Sequence, residues 1–285
     1  MHRSNIIRTA DGAELFYRDW GSGTPVVFLS GWALPSDFWA YQMLPLSEAG
    51  FRCIAYDRRG HGRSSDPGRG FDFDTLADDL AAVLDALHLS DVRIVAHSMS
   101  AGEVIRYVTK RHALGIQRIA LIGPTLPCLA KTPGNPQGID RSLLDLTRRQ
   151  ILEDGFPAWL EENARPFVTA NTKAETIAWL KNMMLTCSMK AVIDCNRAMI
   201  EADFRAELRE TRIPTLIVHG DRDASAPIEL TSRRIVPLMA DAQLIVYEGA
   251  PHGLPVTHAV RLTQDLQSFL RSPSVPLPVA ARRTA

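Results

Sequence analysis

The chain has 285 residues, of which 46% are hydrophobic and 22% are charged, a composition typical of a folded globular protein. Its 32 basic residues balance its 32 acidic residues, so the charge gives no reason to expect nucleic acid or an anionic membrane surface as a partner. No apolar run approaches the roughly 18 residues of a membrane span, and "MHRSNIIRTADG" lacks the apolar stretch of a signal peptide.

The cysteines are scattered and contain no C-x-x-C pair; they are Cys53, Cys128, Cys187 and Cys195. Structural disulfides are the alternative, but this spacing favours free thiols in a reducing compartment. We therefore expect a cytoplasmic protein. The sequence predicts no oligomeric state.

The first half of the chain predicts a hairpin, two buried strands and a helix. "NIIRT" and "ELFYRDW" flank Asp11-Gly12, a pair that favours a tight turn between strands. "PVVFLS" (25–30) and "RCIAY" (52–56) are short continuous apolar runs, as in strands covered on both faces. Apolar residues then recur at helical spacing between residues 75 and 88.

Strands and helices alternate through most of the remaining sequence. Strands are predicted at "VRIVAH" (92–97), "IQRIALIG" (116–123), "PTLIVHG" (214–220) and "AQLIVYEG" (242–249). A final helix carries an apolar face formed by Ala259, Leu262, Leu266, Phe269 and Leu270. This alternation predicts an α/β fold with a doubly wound, mainly parallel sheet.

One stretch interrupts the alternation. Between Pro124 and about Arg212 no buried strand is evident, and helical patterns carry many methionines and aromatic residues. We expect a helical cap (125–211) inserted into a core formed by 1–124 and 212–272, followed by a flexible tail, 273–285. Simple packing is the usual role of such side chains, but they also suit an adaptable apolar pocket. The candidate pocket residues are Trp32, Trp159, Met183 and Met184.

"RIVAHSMSAGEVIRY" (93–107) places Ser98 between a predicted strand and a predicted helix. A nucleophile elbow normally reads G-x-S-x-G, whereas Ala96 and Ser100 stand at the two glycine positions. Both are small enough for the strained backbone with positive φ that an elbow requires. An ordinary helix-capping serine is the alternative.

A serine nucleophile needs a base, and the base needs an orienting acid. "VHGDRDASAP" and "YEGAPHGLP" place Asp223 and His252 just past two later strands, on the sheet edge where ligands bind in such folds. Asp221 is the alternative acid, although the first aspartate of such a turn often holds backbone amides instead. His219 and His258 are the alternative bases; we expect His219 inside its strand and His258 in the final helix.

Acyl transfer also needs two N–H groups directed at the developing oxyanion. The backbone of Met99, which follows the serine, is one candidate donor. The other is the Trp32 backbone in the loop "GWALPSDFW", where Gly31 permits a tight turn. His219, Asp221 and Asp223 could suggest metal ligands, but a loop of structural carboxylates explains them better. We expect neither a metal nor an organic cofactor.

These segments resemble the α/β-hydrolase superfamily over about residues 10 to 270. "YDRRGHGRS" (56–64) is similar to its D-x-R-G-x-G-x-S turn. "SGW…DFW", "HSMSAGEVIRY", "HGDRD" and "EGAPHGL" are most similar to bacterial arylesterases and cofactor-free haloperoxidases. The resemblance implies Ser98 as nucleophile, His252 as base and Asp223 as acid, with Trp32 and Met99 as amide donors.

Two positions depart from that branch. Ser30 stands where a histidine usually precedes the oxyanion glycine, so the anchoring of the loop is expected to differ. Ala33 stands where halogenating members commonly carry proline, which weakens a peracid-forming role. The serine at 98 also argues against the related haloalkane dehalogenases and epoxide hydrolases, which use an aspartate nucleophile.

The functional hypothesis is a serine hydrolase that cleaves a small to medium apolar carboxylic ester or lactone through an acyl-enzyme on Ser98. Perhydrolase or haloperoxidase activity on the same side chains is a first alternative. Amide or carbon–carbon bond hydrolysis is a second. A ligand-binding receptor with little turnover is a third, from a different class.

Overall fold

The computed structural model describes residues 5–110 and 115–272, so the predicted flexible tail (273–285) lies outside the described residues. Within those ranges one eight-stranded sheet has the order β1-β2-β4-β3-β5-β6-β7-β8. The strands β1 to β8 are Ile6–Arg8, Glu14–Gly21, Thr24–Leu29, Phe51–Tyr56, Val92–His97, Ile116–Ile122, Thr215–Gly220 and Ala242–Tyr247. The predicted hairpin is β1 and β2, which pair antiparallel, and β2 pairs antiparallel with β4. The remaining neighbours in the sheet order, β4-β3-β5-β6-β7-β8, all pair in parallel.

Helices cover both faces of the sheet. The helices α1 to α11 are Ala40–Glu48, Phe73–Ala86, Ser100–Lys110, Arg141–Glu153, Phe156–Asn163, Ala174–Met184, Met189–Glu201, Arg205–Glu210, Ser232–Ile235, Leu254–Thr257 and Ala259–Arg271. Alternate residues of β3 enter two separate core clusters, with Val27 in one and Val26 in the other. Helices α2 and α3 contribute to the cluster around Val27, and α1 and α11 contribute to the cluster around Val26. The predicted doubly wound α/β fold is confirmed.

The first long helix begins two residues before its predicted start. Asp72 is the N-cap of α2, and its side chain accepts a hydrogen bond from the Thr75 backbone N–H at 3.0 Å. A carboxylate at this position satisfies one of the backbone donors left free at a helix start. The helix ends before His88, which has a φ of +50°. The cap at Asp72 and the backbone of His88 therefore define the two ends of this helix more closely than the apolar spacing does.

Five helices, α4 to α8, lie between β6 and β7, a stretch that the structure describes in full. No strand pairs with the sheet here, although single bridges join Ala130 to Ile139 and Thr132 to Asn135. These helices lie within the stretch 125–211, for which the sequence predicts a helical cap. In the described ranges, no helix combines the length and apolar character that crossing a membrane requires.

Candidate active site

Ser98 lies at the turn from β5 into α3 and has a φ of +58°. A non-glycine residue in this left-handed region is strained, and such strain often occurs at functional sites. The flanking side chains of Ala96 and Ser100 are fully buried, so the turn has room for only small residues there. The Ser100 hydroxyl, which a glycine would lack, lies 2.9 Å from the Leu29 carbonyl oxygen at the end of β3.

Ser98, His252 and Asp223 form one chain of hydrogen bonds. His252 Nδ1 lies 2.6 Å from Asp223 Oδ2, and His252 Nε2 lies 2.9 Å from Ser98 Oγ. Because an ionised carboxylate only accepts hydrogen bonds, Nδ1 carries the proton, and neutral Nε2 accepts from the serine hydroxyl. The three side chains are almost completely buried. A serine in this arrangement can pass its proton to the imidazole as it attacks an electrophile.

Both carboxylate oxygens of Asp223 accept hydrogen bonds. Its Oδ1 accepts from the backbone N–H groups of Ser225 at 2.9 Å and Ala226 at 2.7 Å. Its Oδ2 accepts from His252 and lies 3.1 Å from His219 Nε2. Burial alone would raise the pKa of Asp223, but the two histidines outweigh it and hold that pKa well below its usual value. The carboxylate is therefore ionised and fixed in orientation.

The alternative acid and bases occupy other positions. Asp221 accepts a hydrogen bond from the Gly249 backbone N–H at 2.7 Å, so it holds a loop, as the sequence predicts. His219 lies inside β7, as predicted, and its Nδ1 is 2.6 Å from the Ser232 hydroxyl. His258, predicted in the final helix, instead lies just before it as the N-cap of α11, with Nδ1 2.9 Å from the Thr257 hydroxyl. Of the candidate bases, His252 contacts Ser98.

The loop after β3 passes beside Ser98. A Cβ added to Gly31 would lie 3.1 Å from Ser98 Cβ and 2.6 Å from His97 Nδ1, so only glycine allows this close approach. Neither the Trp32 nor the Met99 backbone N–H has a hydrogen-bond acceptor within the described residues. Trp32 lines the cavity described below, whereas Met99 is fully buried next to Ser98 in the sequence. Ala33, the next residue, has a φ of +59°, which proline cannot adopt.

Two side chains that the sequence reasoning did not assign to the site pack around His252. The rings of His97 and Phe167 lie 4.7 Å and 5.5 Å from the His252 ring, centroid to centroid. His97 Nε2 lies 3.1 Å from the His252 carbonyl oxygen and donates to it. Burial, with a smaller contribution from His252, holds the pKa of His97 well below its usual value, so this ring is neutral. The position of His97 directly before the serine was the available signal.

A cavity of about 370 Å³ opens at Ser98 and His252. Trp32, Trp159 and Met184, three of the predicted pocket residues, line it. Met183 instead is buried in the core beside Leu180 and does not line the cavity. Neighbouring residues on an α-helix point about 100° apart, and here Met184 faces the opening whereas Met183 faces the core.

The described part of the chain contains no group of three or more histidine, cysteine, aspartate or glutamate side chains placed to hold a metal ion. The His219 and Asp223 side chains, which could suggest ligands in the sequence, hydrogen bond to each other and to the surrounding loop.

Comparison with known proteins agrees with this fold. The sequence model described as "Alpha/beta hydrolase family" matches residues 26–264. A non-heme haloperoxidase from Rhodococcus erythropolis is 39% identical over 273 residues, which cover 94% of this chain and 99% of the relative. A bifunctional esterase/perhydrolase from Acinetobacter calcoaceticus is 36% identical over 275 residues, 93% of this chain and 99% of the relative. An esterase structure from Exiguobacterium antarcticum superposes with a TM-score of 0.91 at 28% identity, covering 95% of this chain and 100% of that one.

A parallel sheet whose strand ends bring a serine, a histidine and an aspartate together defines a hydrolase of the α/β type. The extent of the family match, together with relatives above 30% identity over nearly their whole length, makes the assignment firm. The chain belongs to the α/β hydrolase family.

Proposed function

We propose that the protein is a carboxylic ester hydrolase that works through an acyl-enzyme on Ser98. Ser98 Oγ attacks the ester carbonyl while His252 Nε2 takes its proton, and His252 then gives this proton to the departing alcohol. Water attacks the acyl-enzyme in the second half, with His252 again as base, and releases the acid and free Ser98. The observation that carries this proposal is the hydrogen-bonded chain Ser98–His252–Asp223 at the cavity.

The oxyanion of each tetrahedral intermediate is proposed to bind the Trp32 and Met99 backbone N–H groups. Two features support this assignment: both amides lack an acceptor in the described residues, and Gly31 brings the Trp32 loop against Ser98. Met99 also starts the turn into α3, where the helix dipole favours negative charge.

The proposed substrate is an apolar ester or lactone of small to medium size. The cavity that supports this is lined mainly by apolar and aromatic side chains, among them Trp32, Trp159 and Leu160. Trp32 and Trp159 meet edge to face at 5.3 Å between ring centroids. Such a cavity stabilises apolar groups by removing their surface from water. Four free, buried cysteines support placing the enzyme in a reducing compartment such as the cytoplasm.

Perhydrolysis is a second candidate, favoured by the relatives that are named haloperoxidases and esterase/perhydrolase. In that reaction hydrogen peroxide replaces water in the second half, and the acyl-enzyme gives a peracid and free Ser98. The backbone of Ala33, at a φ of +59°, favours hydrolysis instead, because it differs from the loop that proline would impose.

Turnover of short-chain p-nitrophenyl esters, with and without peroxide, tests these proposals. We expect hydrolysis with an initial burst of nitrophenol, and loss of both phases in Ser98→Ala. Ser188→Ala is the matched control, because Ser188 caps α7 and contacts no part of the proposed machinery. A folded wild-type protein that binds apolar ligands but turns over neither esters nor lactones would favour the receptor alternative.

A further inference from the structure

A buried ion pair lies directly beneath the loop that carries Trp32. Arg58, in the turn after β4, and Glu103, in the first turn of α3, have side chains that are only 4% and 1% exposed. Arg58 Nε donates to Glu103 Oε1 at 2.8 Å, and a second guanidinium nitrogen contacts the same oxygen. Both charged groups are therefore removed from water, and each is compensated by the opposite charge of the other.

The remaining donors of Arg58 hold the loop after β3. One terminal nitrogen donates to the Ser30 carbonyl oxygen at 2.7 Å, and the other donates to the Gly31 carbonyl oxygen at 3.2 Å. These are the two carbonyls immediately before the Trp32 N–H. The Ser30 hydroxyl donates to the Pro35 carbonyl oxygen at 2.9 Å and closes the loop on itself. Arg58 thus anchors this loop from below.

His61 completes the surroundings of the guanidinium. His61 Nδ1 lies 2.9 Å from the Arg59 carbonyl oxygen and carries the proton, so Nε2 accepts from Arg58 at 3.3 Å. Burial alone would lower the pKa of Arg58, but the Glu103 carboxylate outweighs it and raises that pKa above its usual value. The guanidinium is therefore charged and held by three different segments.

Glu103 connects this anchor to the other proposed amide donor. It lies one turn into the helix that begins just after Met99, so its position fixes the N-terminal end of α3. The hydrogen bond from Ser100 to Leu29 makes a second, shorter connection between the same two segments. A planar guanidinium can bind a carboxylate and two carbonyls at once, which the point charge of a lysine cannot do.

We propose that Arg58 and Glu103 are positioning residues that set the separation of the Trp32 and Met99 amides. This inference rests on the proposed function, because it assigns the two amides to the oxyanion. Buried ion pairs contribute little net stability compared with apolar residues of similar volume. A geometric role explains why charged residues occupy this site, since a displacement of about 1 Å at a reacting centre can lower the rate about 100-fold.

The test is the double variant Arg58→Met/Glu103→Leu, which removes both charges and leaves neither unpaired. We expect it to fold and to lose about 10- to 100-fold in kcat, with KM changed far less. The affinity for a trifluoromethyl ketone, which forms an oxyanion on Ser98, should fall by a similar factor. The control is Arg52→Met/Asp19→Leu, because that ion pair joins β4 to β2 and is about 30% exposed. This variant should keep the wild-type kcat.

Two further variants cover the case in which the double variant does not fold. Arg58→Lys keeps the positive charge but loses the planar guanidinium that binds the carboxylate and two carbonyls at once. We expect an intermediate loss of kcat. Glu103→Gln keeps an oxygen acceptor for the guanidinium, so it should lose much less kcat than the double variant. Wild-type kcat and ketone affinity in a folded double variant, or in Arg58→Lys, would overturn the proposal. Absence of wild-type ester turnover would instead overturn the proposed function itself.

Discussion

Two groups of residues border the cavity but are built differently: the strand-end side chains of Ser98 and His252, and the helices α4 to α7. Ser98, Asp223 and His252 are almost completely buried, and every polar side-chain atom among them has a hydrogen-bond partner. The helical region exposes large apolar side chains, with Leu143 61% exposed and Leu152 65% exposed. We therefore expect the fixed geometry of the strand ends to serve the proposed chemistry, and the apolar helical region to influence the choice of substrate.

The largest expected effect separates two aspartates that lie two residues apart. Asp223→Asn should lower kcat on the order of 10³–10⁴-fold, because an amide can hold His252 in the wrong tautomer. Asp221→Asn is the matched control and should keep kcat, since Asp221 contacts the Gly249 N–H instead. Steady-state ester hydrolysis measures both. Similar losses of kcat in the two variants would contradict the different roles assigned to the two carboxylates.

A smaller loss is expected at the loop after β3. Ala33→Pro should lower kcat about 10- to 100-fold, because proline fixes φ near −65° and reorients the Trp32–Ala33 peptide. Ala33→Gly is the control: glycine adopts the observed φ of +59° without strain and should keep kcat. Full activity in a folded Ala33→Pro variant would show that the loop backbone does not matter for the chemistry.

The helical region should change selectivity more than rate. Met184→Ala enlarges the cavity, so we expect kcat/KM for longer acyl chains to rise about 5- to 10-fold relative to acetate. Met183→Ala should leave this ratio unchanged and lower the free energy of unfolding by about 2–5 kcal/mol, because Met183 packs in the core. A panel of p-nitrophenyl esters and urea unfolding distinguish the two methionines. The reverse pattern would contradict the assignment of their faces.

The last expected effect concerns stability, and not catalysis, as a function of pH. Burial, with a smaller contribution from Arg58, lowers the pKa of His61 from its ordinary value to about 3. Between about pH 6.5 and pH 3, the His61 imidazole is therefore protonated in the unfolded state but not in the native state. Stability therefore falls as the pH falls through this window, by about 1.4 kcal/mol per pH unit from this residue.

His61→Gln removes that contribution, so its urea-unfolding free energy should fall less steeply with acid than that of the wild type. His97, whose pKa burial also lowers, keeps its share of the pH dependence in both proteins. Identical slopes for the two proteins would show that His61 is protonated in the native state.

The sequence predicts the sheet and the meeting of Ser98, His252 and Asp223 because parallel strands end at one edge. The buried strands are short continuous apolar runs, which are read directly from the residues, and the residues that follow them lie at that edge. Arg58 and Glu103 are 45 positions apart in the sequence, and their pairing depends on which segments pack together, so it needs the tertiary structure. The same limit applies to Met183 and Met184, since an apolar helix pattern does not say which side faces an opening.

Mapping the attachment site of a fluorophosphonate probe tests the central claim most directly. The probe forms a covalent bond to a serine oxygen that a neighbouring base has activated, and peptide mass spectrometry locates it. We predict stoichiometric labelling of the native protein at Ser98, with none after heat denaturation and none in Ser98→Ala. A native protein that stays unlabelled, or carries the label on another serine, would contradict the account.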